Sequence, residues 1–479
     1  MSRFYVKPLS VLMREAEHAP LKRALGPLNL TTLGIGSIIG TGIFVLTGTA
    51  ASQNAGPALV LSMIIAAVGC VFAGLCYSEL AAMIPVAGSA YTYAYATTGE
   101  LFAWIIGWDL ILEYALSCST VAVGWAGYAT SLLRDLGAPI PPQLAAAPGV
   151  PITLANGVMG HGLVNLPAML IVLLVATLLT LGIKKSANTN TVLVIVKVVV
   201  LVLFVAAGAS YVRAENLTPF IPENTGQFGQ FGWSGVLRGA GVMFFAYIGF
   251  DAVSTAAQES KNPQRDLPVG ILASLAICTV IFIAVAIVLI GIVPYTRLNV
   301  ADPLAVGIDA TGLVWLRPLV KIGAVLGLFS TILVQMIGQT RIFYSMSRDG
   351  LLPELFGRVH PTYRTPHVST MLTGGVCALV AGFTPISVLS ELVSMGTLLA
   401  FVLVCVGIVV LRRTNPDTPR PFRTPGLPWV AVAGAVICLA QMAALPLATW
   451  VRLLVWLAAG MVIYLGYARS NAERRRGAA

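Results

Sequence analysis

The chain has very few charged residues. Asp, Glu, Lys and Arg make up only 10% of its 479 residues, whereas 57% are hydrophobic, and soluble domains carry about 25% charged residues. The apolar residues fall in runs of about 20, the length of an α-helix that crosses a bilayer, and not in the short alternating segments of a transmembrane β-barrel. These features predict an all-α integral membrane protein and exclude both a soluble protein and a barrel.

Residues that build metal centres and soluble active sites are also scarce. The seven cysteines all lie inside apolar runs, without a CxxC pair or a Cys/His spacing typical of metal sites. None of the four histidines lies deep within an apolar run. A Ser/His/Asp set, a phosphate-binding loop and a polar loop large enough for a soluble active site are all absent from the sequence. We therefore expect no metal, no bound cofactor and no enzymatic activity.

Twelve apolar runs are long enough to be predicted as transmembrane helices. Numbered in chain order, spans 1 to 12 lie near residues 28–52, 57–83, 100–131, 163–183, 190–211, 233–257, 268–293, 313–340, 367–383, 388–411, 428–446 and 449–468. Between spans 3 and 4, residues 132–162 are rich in proline and alanine, so we expect an irregular connector there.

The positive charges predict an orientation. With the N-terminus in the cytoplasm, the inside segments hold 21 Lys or Arg residues and the outside loops hold four. Because cytoplasmic loops are enriched in Lys and Arg, both termini are predicted to be cytoplasmic. The N-terminal segment 1–27 and the C-terminal tail 469–479 belong to these inside segments. The net charge of +10 thus reflects topology, and we expect no nucleic acid partner.

Span 1 is unusually rich in glycine. Gly34, Gly36, Gly40 and Gly42 lie within nine residues of one another, and each glycine costs a helix about 1 kcal/mol relative to alanine. One interpretation is close packing of helices through small residues. The other is an interrupted helix, whose free N–H groups bind an anion and whose free carbonyls bind an ammonium group or a cation.

Span 6 favours the second interpretation. Its segment FFAYIGFDA, from Phe244 to Ala252, places Gly249 and Asp251 inside an apolar run. Spans 1 and 6 each begin a group of five spans, and paired interrupted spans in corresponding positions indicate a transporter built from inverted repeats with its binding site at the midplane. An amino acid suits such a site, because its carboxylate and its ammonium can each meet unwound backbone.

Lys197 lies in the middle of span 5, within TVLVIVKVVV. A charge at this depth costs at least about 2.5 to 3.5 kcal/mol, so it indicates a functional site. A buried lysine can gain and lose a proton near neutral pH, which fits proton coupling. The alternative is a lysine whose side chain extends to the cytoplasmic edge, about ten ångströms away.

Three acidic residues also lie within spans. Asp109 and Glu113 are one turn apart in span 3, and Asp251 follows the glycine of span 6. Like charges at this spacing repel, so at least one of the first two needs a cationic partner or a proton. Glu113 paired with Lys197 would form a buried, proton-sensitive couple, and this is the pairing that we predict if the partner is a cation. A purely structural hydrogen bond is the alternative for each acid, and Asp251 could instead orient the unwound backbone.

Five motifs resemble those of a known superfamily. They are GIGSIIGTGIF (34–44), PVAGSAYTY (85–93), WDLILEY (108–114), FFAYIGFDAVSTAAQE followed by NPQRDLP (244–259 and 262–268), and SRDGLLP (347–353). In this order they resemble the amino acid, polyamine and organocation transporter superfamily, and within it bacterial members of the cationic amino acid transporter family. The resemblance covers nearly the whole chain.

The resemblance implies a leucine-transporter-like fold. Ten core helices would form two inverted repeats, residues 28–211 (spans 1–5) and 233–411 (spans 6–10), with spans 1 and 6 unwound at the midplane. Spans 11 and 12, residues 428–468, would lie outside this core.

The resemblance also implies the substrate ligands. N–H groups of span 1, with one hydroxyl, would bind the carboxylate, and carbonyls of both interrupted spans would bind the ammonium. The residues concerned are Ile38, Gly40, Thr41 and Gly42 in span 1 and Phe245, Ala246 and Ile248 in span 6.

Three side chains acquire roles by the same resemblance. The ring of Phe245 would be the gate that covers substrate from outside, and Gln335 of span 8 would lie near the substrate side chain. The ammonium of Lys197 would occupy the place of the sodium ion in sodium-coupled relatives, which favours coupling to protons. With Lys197, we predict Glu113 and Asp251 as proton-coupling residues.

These observations predict a multi-pass protein of the cell membrane that imports L-amino acids by proton-coupled symport and alternating access. Whether the substrate is neutral or cationic stays open. An exchanger or facilitator for cationic amino acids, in which Lys197 is only structural, is the alternative, and a receptor or channel is another. The expected partners are an L-amino acid, the proton as coupling ion and membrane lipid. A bound sterol or a small single-span subunit would leave no recognisable mark in the sequence.

Overall fold

The computed structural model describes residues 5–8, 11–12, 23–86, 88–154, 157–182, 186–363 and 365–478. Most of the predicted segment 1–27 therefore lies outside the described residues. Within them, eight helical stretches are long and apolar enough to cross a membrane, and three further apolar helices are shorter. The structure is thus that of a multi-pass helical membrane protein, and the number of twelve crossings stays a prediction.

Each predicted span corresponds to a helix or a pair of half-helices, and we number the helices accordingly. Two are interrupted: α1a (Pro27–Ile38) is followed by α1b, which comprises Gly42–Leu46, Thr47–Ala50 and Ala51–Ala55, and α6a (Gly232–Met243) is followed by α6b (Ala252–Thr255). The others are α2 (Leu59–Met83), α3 (Glu100–Asp135), α4 (Leu166–Thr180), α5 (Ser186–Gly208), α7 (Pro263–Ile292), α8 (Leu316–Arg348), α9 (His367–Phe383), α10 (Ile386–Thr414), α11 (Trp429–Ala444) and α12 (Leu447–Ile463).

Several elements were not expected from the sequence. Short helices, Ser89–Thr97 and Pro303–Thr311, precede α3 and α8, and α12 continues through Tyr464–Ala468 into α13 (Arg469–Ala478). In the connector that was predicted to be irregular, β1 (Pro151–Thr153) pairs antiparallel with β2 (Met159–His161). The helix α8 also extends eight residues past the predicted end at 340, so Arg341 lies on a helix and not in a loop.

The helices pack in a recurring pattern of pairs. Helix α7 packs against α1a and α2, and α2 also packs against α6a. Helix α3 packs against α8 and α10, α5 packs against α8, and α4 packs against α9. Helix α11 lies against α10 and α2. The two interrupted helices thus lie in one group with α2 and α7, beside a second group that contains α3 and α8.

Ionic contacts hold the end of the bundle at which the chain begins. Glu79 of α2 is fully buried and accepts two hydrogen bonds from Arg412 of α10, at 3.0 and 2.7 Å, and one from the N–H of Thr424 at 2.7 Å. Glu100 at the start of α3 pairs with Arg476 of α13. These partners make Glu79 a structural link between α2, α10 and the loop that follows α10.

Tryptophan side chains fix α12 against α3. The indole N–H of Trp108 donates to the carbonyl of Trp456 at 2.9 Å, and that of Trp456 donates to the carbonyl of Trp108 at 3.1 Å. Their rings are stacked with centroids 4.5 Å apart. Gly460 lies against this stack, because a Cβ atom there would be 2.3 Å from Cδ1 of Trp108. The stack can accept no side chain at position 460.

We therefore expect Gly460→Ala to destabilise the protein. The added methyl group must displace an indole that is held by a hydrogen bond to the carbonyl of Trp456 and by stacking, and overpacking of this kind costs about 1–3 kcal/mol. The measurement is the apparent melting temperature of the purified protein in detergent. Gly466→Ala is the matched control, because no atom lies within 4 Å of a Cβ built at Gly466. An equal melting temperature for the two variants would show that the contact does not constrain α12.

Candidate functional site

The interruption of α1 exposes backbone groups inside the protein. Helix α1a ends at Ile38, and Ile39 is extended, with φ −71° and ψ 93°. The chain then enters α1b at Gly42. The first N–H groups of a helix have no partners within that helix, so Thr41, Gly42 and Ile43 present N–H groups at the break. The last carbonyls of α1a are likewise left without helical donors.

The interruption of α6 is longer. After α6a, residues Phe244–Tyr247 form a short 3₁₀ turn and Ile248 is extended. Gly249 has φ +117°, a conformation that only glycine adopts without strain. Asp251 then precedes α6b. The carbonyl of Phe245 accepts a bond from the N–H of Ile248 at 3.3 Å, so one predicted ligand is already partly engaged.

The two breaks lie against each other. A Cβ atom at Gly42 would be 2.3 Å from the Cα of Ala246, and one at Gly249 would be 2.5 Å from the Oγ of Ser37. A Cβ at Gly40 would be 3.2 Å from Cγ2 of Thr331 in α8. Glycine at these positions therefore allows the unwound segments to approach each other and α8 closely.

The predicted substrate ligands are all buried. Each side chain among them is at most 5% exposed, and the hydroxyls of Ser37 and Thr41 have no hydrogen-bond partner among the described residues. Gln335 lies one turn from Thr331, which contacts the α1 break, and three residues before Gly338, which contacts Tyr114. It thus shares the face of α8 that borders the breaks. The binding roles of these residues stay predictions.

Lys197 is completely buried and its ammonium lies at the α1 break. It donates to the carbonyls of Gly36 at 2.5 Å and Ile39 at 2.9 Å. It also lies 3.2 Å from Oγ1 of Thr331 and 3.4 Å from Oγ of Ser330. The side chain does not extend to the edge of the bundle. A single positive charge is thus surrounded by two carbonyls and two hydroxyls, a set of ligands typical of a bound cation.

The predicted pair between Glu113 and Lys197 is wrong. The ion pairs of the described residues do not include it, and the ammonium of Lys197 is engaged by oxygens of α1a and α8. The sequence placed both residues at similar depths in their helices, but depth does not determine which faces meet. Glu113 instead lies one turn from Asp109 on α3, next to Tyr114, whose hydroxyl donates to Asp251.

The three acids form a separate buried group. Asp109, Glu113 and Asp251 are each at most 2% exposed. Oδ2 of Asp251 accepts from the hydroxyl of Tyr114 at 3.0 Å and from that of Ser89 at 3.4 Å. Both carboxyl oxygens of Asp109, Oε2 of Glu113 and Oδ1 of Asp251 lack hydrogen-bond partners among the described residues. Unpartnered buried carboxyls are unusual in structural roles, which fits sites that exchange protons.

Several polar residues of the site were missed from the sequence. Ser330 and Thr331 contact Lys197, and Tyr114 and Ser89 contact Asp251. The adjacent hydroxyls at 330 and 331, within an otherwise apolar stretch of α8, were the available signal. The partners of Asp251 gave no comparable signal, because serine and tyrosine are common in such helices.

Hydrogen bonds connect distant segments of the chain on either side of the two breaks. On one side, the hydroxyl of Tyr128 donates to the carbonyl of Phe44 at 2.7 Å and accepts from the N–H of Leu304 at 3.3 Å. On the other side, the N–H groups of Ala24 and Leu25 donate to the carbonyl of Glu259, each at 2.9 Å. The two breaks therefore lie between these two sets of contacts.

Comparison with known proteins agrees with this architecture. The profile of the amino acid permease family matches residues 25–467. The chain is 47% identical over 454 residues to the branched-chain amino acid permease BcaP of Bacillus subtilis, covering 95% of this chain and 94% of the relative. It is 44% identical over 470 residues to the methylthioribose transporter of Bacillus subtilis, covering 98% of each.

A plant relative is more distant. The vacuolar cationic amino acid transporter 4 of Arabidopsis thaliana is 38% identical over 421 residues, which cover 87% of this chain and 67% of the relative. The match to the family extends through both interrupted helices and the lysine between them. The chain therefore belongs to the amino acid permease family, and it is a membrane transporter and not an enzyme.

Proposed function

We propose that this protein imports L-amino acids across the cell membrane by proton-coupled symport and alternating access. The observation that carries the proposal is the ammonium of Lys197, which binds the carbonyls of Gly36 and Ile39 at the α1 break. A titratable cation occupies this position, beside two facing breaks that offer backbone groups to a substrate.

The substrate would bind between the breaks. N–H groups of Gly40, Thr41 and Gly42 and the hydroxyl of Thr41 would bind the carboxylate, since the first turn of a helix favours anions. The unpartnered hydroxyl of Thr41 supports this role. Carbonyls of Ile38, Phe245, Ala246 and Ile248 would bind the ammonium. Phe245 would be the gate and Gln335 would contact the substrate side chain.

Proton coupling would act through the hydrogen bonds that Lys197 donates to α1a. Hydrogen bonds from a charged donor are about twice as strong as neutral ones, so the protonated amine holds the end of α1a firmly. Loss of the proton weakens both bonds and frees α1a to move. Glu113 and Asp251 would take part in proton transfer, and their unpartnered oxygens support this role.

The helix contacts support a core of two inverted repeats. In two repeats of five helices, each helix of the first half corresponds to the helix numbered five higher in the second half. Under this correspondence the α1a–α7 contact becomes the α6a–α2 contact, and the α3–α10 contact becomes the α8–α5 contact. The contacts α2–α7, α3–α8 and α4–α9 each convert into themselves. Movement of one such group of helices against the other is the usual basis of alternating access.

The orientation is also part of the proposal. The excess of Lys and Arg in the predicted inside segments, 21 against four, favours cytoplasmic termini. Under this orientation the contact between Ala24 and Glu259 closes the cytoplasmic side, and the contact between Tyr128 and Phe44 closes the outer side. Import then requires the outer contact to open first.

A second candidate is an exchanger or facilitator for cationic amino acids, without proton coupling. Its support is the 38% identity to the cationic amino acid transporter of Arabidopsis thaliana. The branched-chain permease, at 47% identity, favours neutral substrates instead. The methylthioribose transporter adds a substrate without an amino acid head group, which the carboxylate-binding backbone does not favour.

Uptake into proteoliposomes tests the proposal. Purified protein is reconstituted and offered labelled leucine, alanine or arginine under an inward proton gradient, with and without sodium, and with methylthioribose as a competitor. We expect accumulation above equilibrium that requires the proton gradient and not sodium. Uptake that only equilibrates, or that needs amino acid on the opposite side, supports the second candidate and contradicts symport.

Replacement of the lysine should separate binding from coupling. In Lys197→Ala, proton-driven accumulation should fall to the equilibrium level, because no titratable group remains at the α1 break, while amino acid binding persists. Accumulation ratios and binding isotherms measure the two effects. The control is Lys321→Ala, which removes another buried lysine, paired with Asp135 at 2.6 Å. Its accumulation ratio should still depend on the proton gradient. Full proton-driven accumulation by Lys197→Ala would contradict the coupling role.

Thr41→Val should weaken every substrate alike. The substitution keeps the side-chain volume and removes the hydroxyl at the shared carboxylate end, so KM for all amino acids should rise about tenfold, the effect of one lost hydrogen bond to a charged group. Thr47→Val is the control, because its hydroxyl already bonds to the carbonyls of Gly42 and Ile43 at 3.2 and 3.1 Å. A rise for only some amino acids would instead place Thr41 near the substrate side chain.

A further inference from the structure

A small cavity lies directly beside the α6 break, on the side where α1a begins. Its volume is about 100 Å³, and α1a, α5, α6b and α8 contribute to its walls. Ala252, which lines it, follows Asp251 in the chain, and Gly338, also in its wall, contacts Tyr114. The cavity is thus adjacent to the proposed substrate site but separate from the residues that form it.

One end of this cavity is charged. Nη2 of Arg341 lies 2.7 Å from Oε1 of Glu259, and Nη1 donates to the carbonyl of Thr255 at 3.2 Å. The side chains of Arg341 and Glu259 are 33% and 27% exposed, so water and small solutes reach them. We name this space the Glu259–Arg341 cavity.

Arg341 and Glu259 retain hydrogen-bonding atoms that their present bonds do not use. A guanidinium has five N–H donors and a carboxylate has two acceptor oxygens. Among the described residues, the hydrogen bonds of Arg341 use two of its three nitrogens, and its bond to Glu259 uses only one carboxylate oxygen. Arg341 can therefore bind a second carboxylate, and Glu259 can bind an ammonium group, without either losing all of its present contacts.

The other end of the cavity is apolar. It is lined by Leu33 of α1a and by Leu333, Val334 and Ile337 of α8. The volume of about 100 Å³ is several times the about 10–15 Å³ that one buried water molecule needs by the same measure, so the cavity admits a small solute. A ligand with both charges at one end and an apolar group at the other matches this arrangement.

We propose that the Glu259–Arg341 cavity is a second binding site for the transported amino acid, in which Arg341 binds the carboxylate, Glu259 binds the ammonium and the apolar end receives the side chain. The inference rests on the proposed function, since it takes the substrate class from it. The site shares Glu259 with the contact to Ala24 and Leu25, at the end of the main site that is cytoplasmic under the proposed orientation, so substrate would occupy it on its way to the cytoplasm.

Occupancy of this site affects the closing contact. The carbonyl of Glu259 accepts bonds from the N–H groups of Ala24 and Leu25, and the N–H of Lys261 donates to the carbonyl of Leu25 at 2.9 Å. The same residue that binds the substrate ammonium therefore also holds the start of α1a. Substrate that draws the Glu259 side chain away from Arg341 also pulls on the backbone bonds between Glu259 and the start of α1a. Arrival of substrate at the second site is thereby linked to the opening of this contact.

Binding stoichiometry tests the proposal. Purified full-length protein in lipid nanodiscs is titrated with labelled L-leucine and, separately, with labelled L-alanine. We expect two sites on each wild-type chain. In Arg341→Gln and in Glu259→Gln the weaker site should lose at least about tenfold in affinity, the scale of one charge-assisted hydrogen bond, while the tighter site is retained. Gly42→Val, which fills the contact with Ala246, should remove the tighter site and retain the weaker one.

The same titration provides the control and the outcomes that would contradict the second site. Arg348→Gln, which removes a guanidinium from the same helix beside the ring of Tyr344, should leave both sites unchanged. A single site on the wild-type chain, or two sites that persist in both Arg341→Gln and Glu259→Gln, overturns the second site. Absence of any amino acid binding by the wild type contradicts the proposed function itself, so the two failures are distinguishable.

Discussion

A helix that is interrupted inside a membrane protein leaves carbonyl groups that need donors, because water at that depth does not replace the lost helical bonds. At the α1 break the donor is Lys197, whose ammonium binds the carbonyls of Gly36 and Ile39. The dependence is mutual. Among the described residues Lys197 has no carboxylate partner, so these carbonyls and the hydroxyls of Ser330 and Thr331 are the groups that stabilise its burial. The break and the lysine are therefore one structural unit that connects α1 to α5 and α8.

The α6 break is stabilised differently, by bonds within its own segment. The N–H of Ile248 donates to the carbonyl of Phe245, and both the N–H and the hydroxyl of Ser254 donate to the carbonyl of Asp251 at 2.9 and 2.6 Å. Gly249, with φ +117°, allows the turn between them. These bonds involve no titratable donor. Of the two breaks, α1 is thus the one whose backbone bonds come from a side chain that can lose a proton.

The sequence predicted both breaks and the buried lysine, because glycine density and an isolated charge are properties of a single segment. It did not predict which surfaces meet. Glu113 and Lys197 lie at similar depths, yet the ion pairs of the described residues do not include them, and Lys197 contacts α1a and α8 instead. Contacts between distant parts of the chain were missed for the same reason, as with Trp108 and Trp456. The pairing of β1 with β2 was missed because a strand of three residues is too short for a recognisable alternation.

The positions of the ionisable groups bear on how one substrate can control both breaks. Lys197 connects α1 to α5 and α8, and Asp251 connects α6 to α3 through Tyr114 at 3.0 Å. Each break is therefore attached to the surrounding helices by a different ionisable side chain. Under the proposed function, substrate bridges the breaks, which approach each other closely at Gly42 and Ala246. Movement of α1a after deprotonation of Lys197 would then separate the carboxylate ligands from the ammonium ligands. Substrate release would then follow proton release, because the ligands of Lys197 and several ligands of the substrate share the backbone of α1.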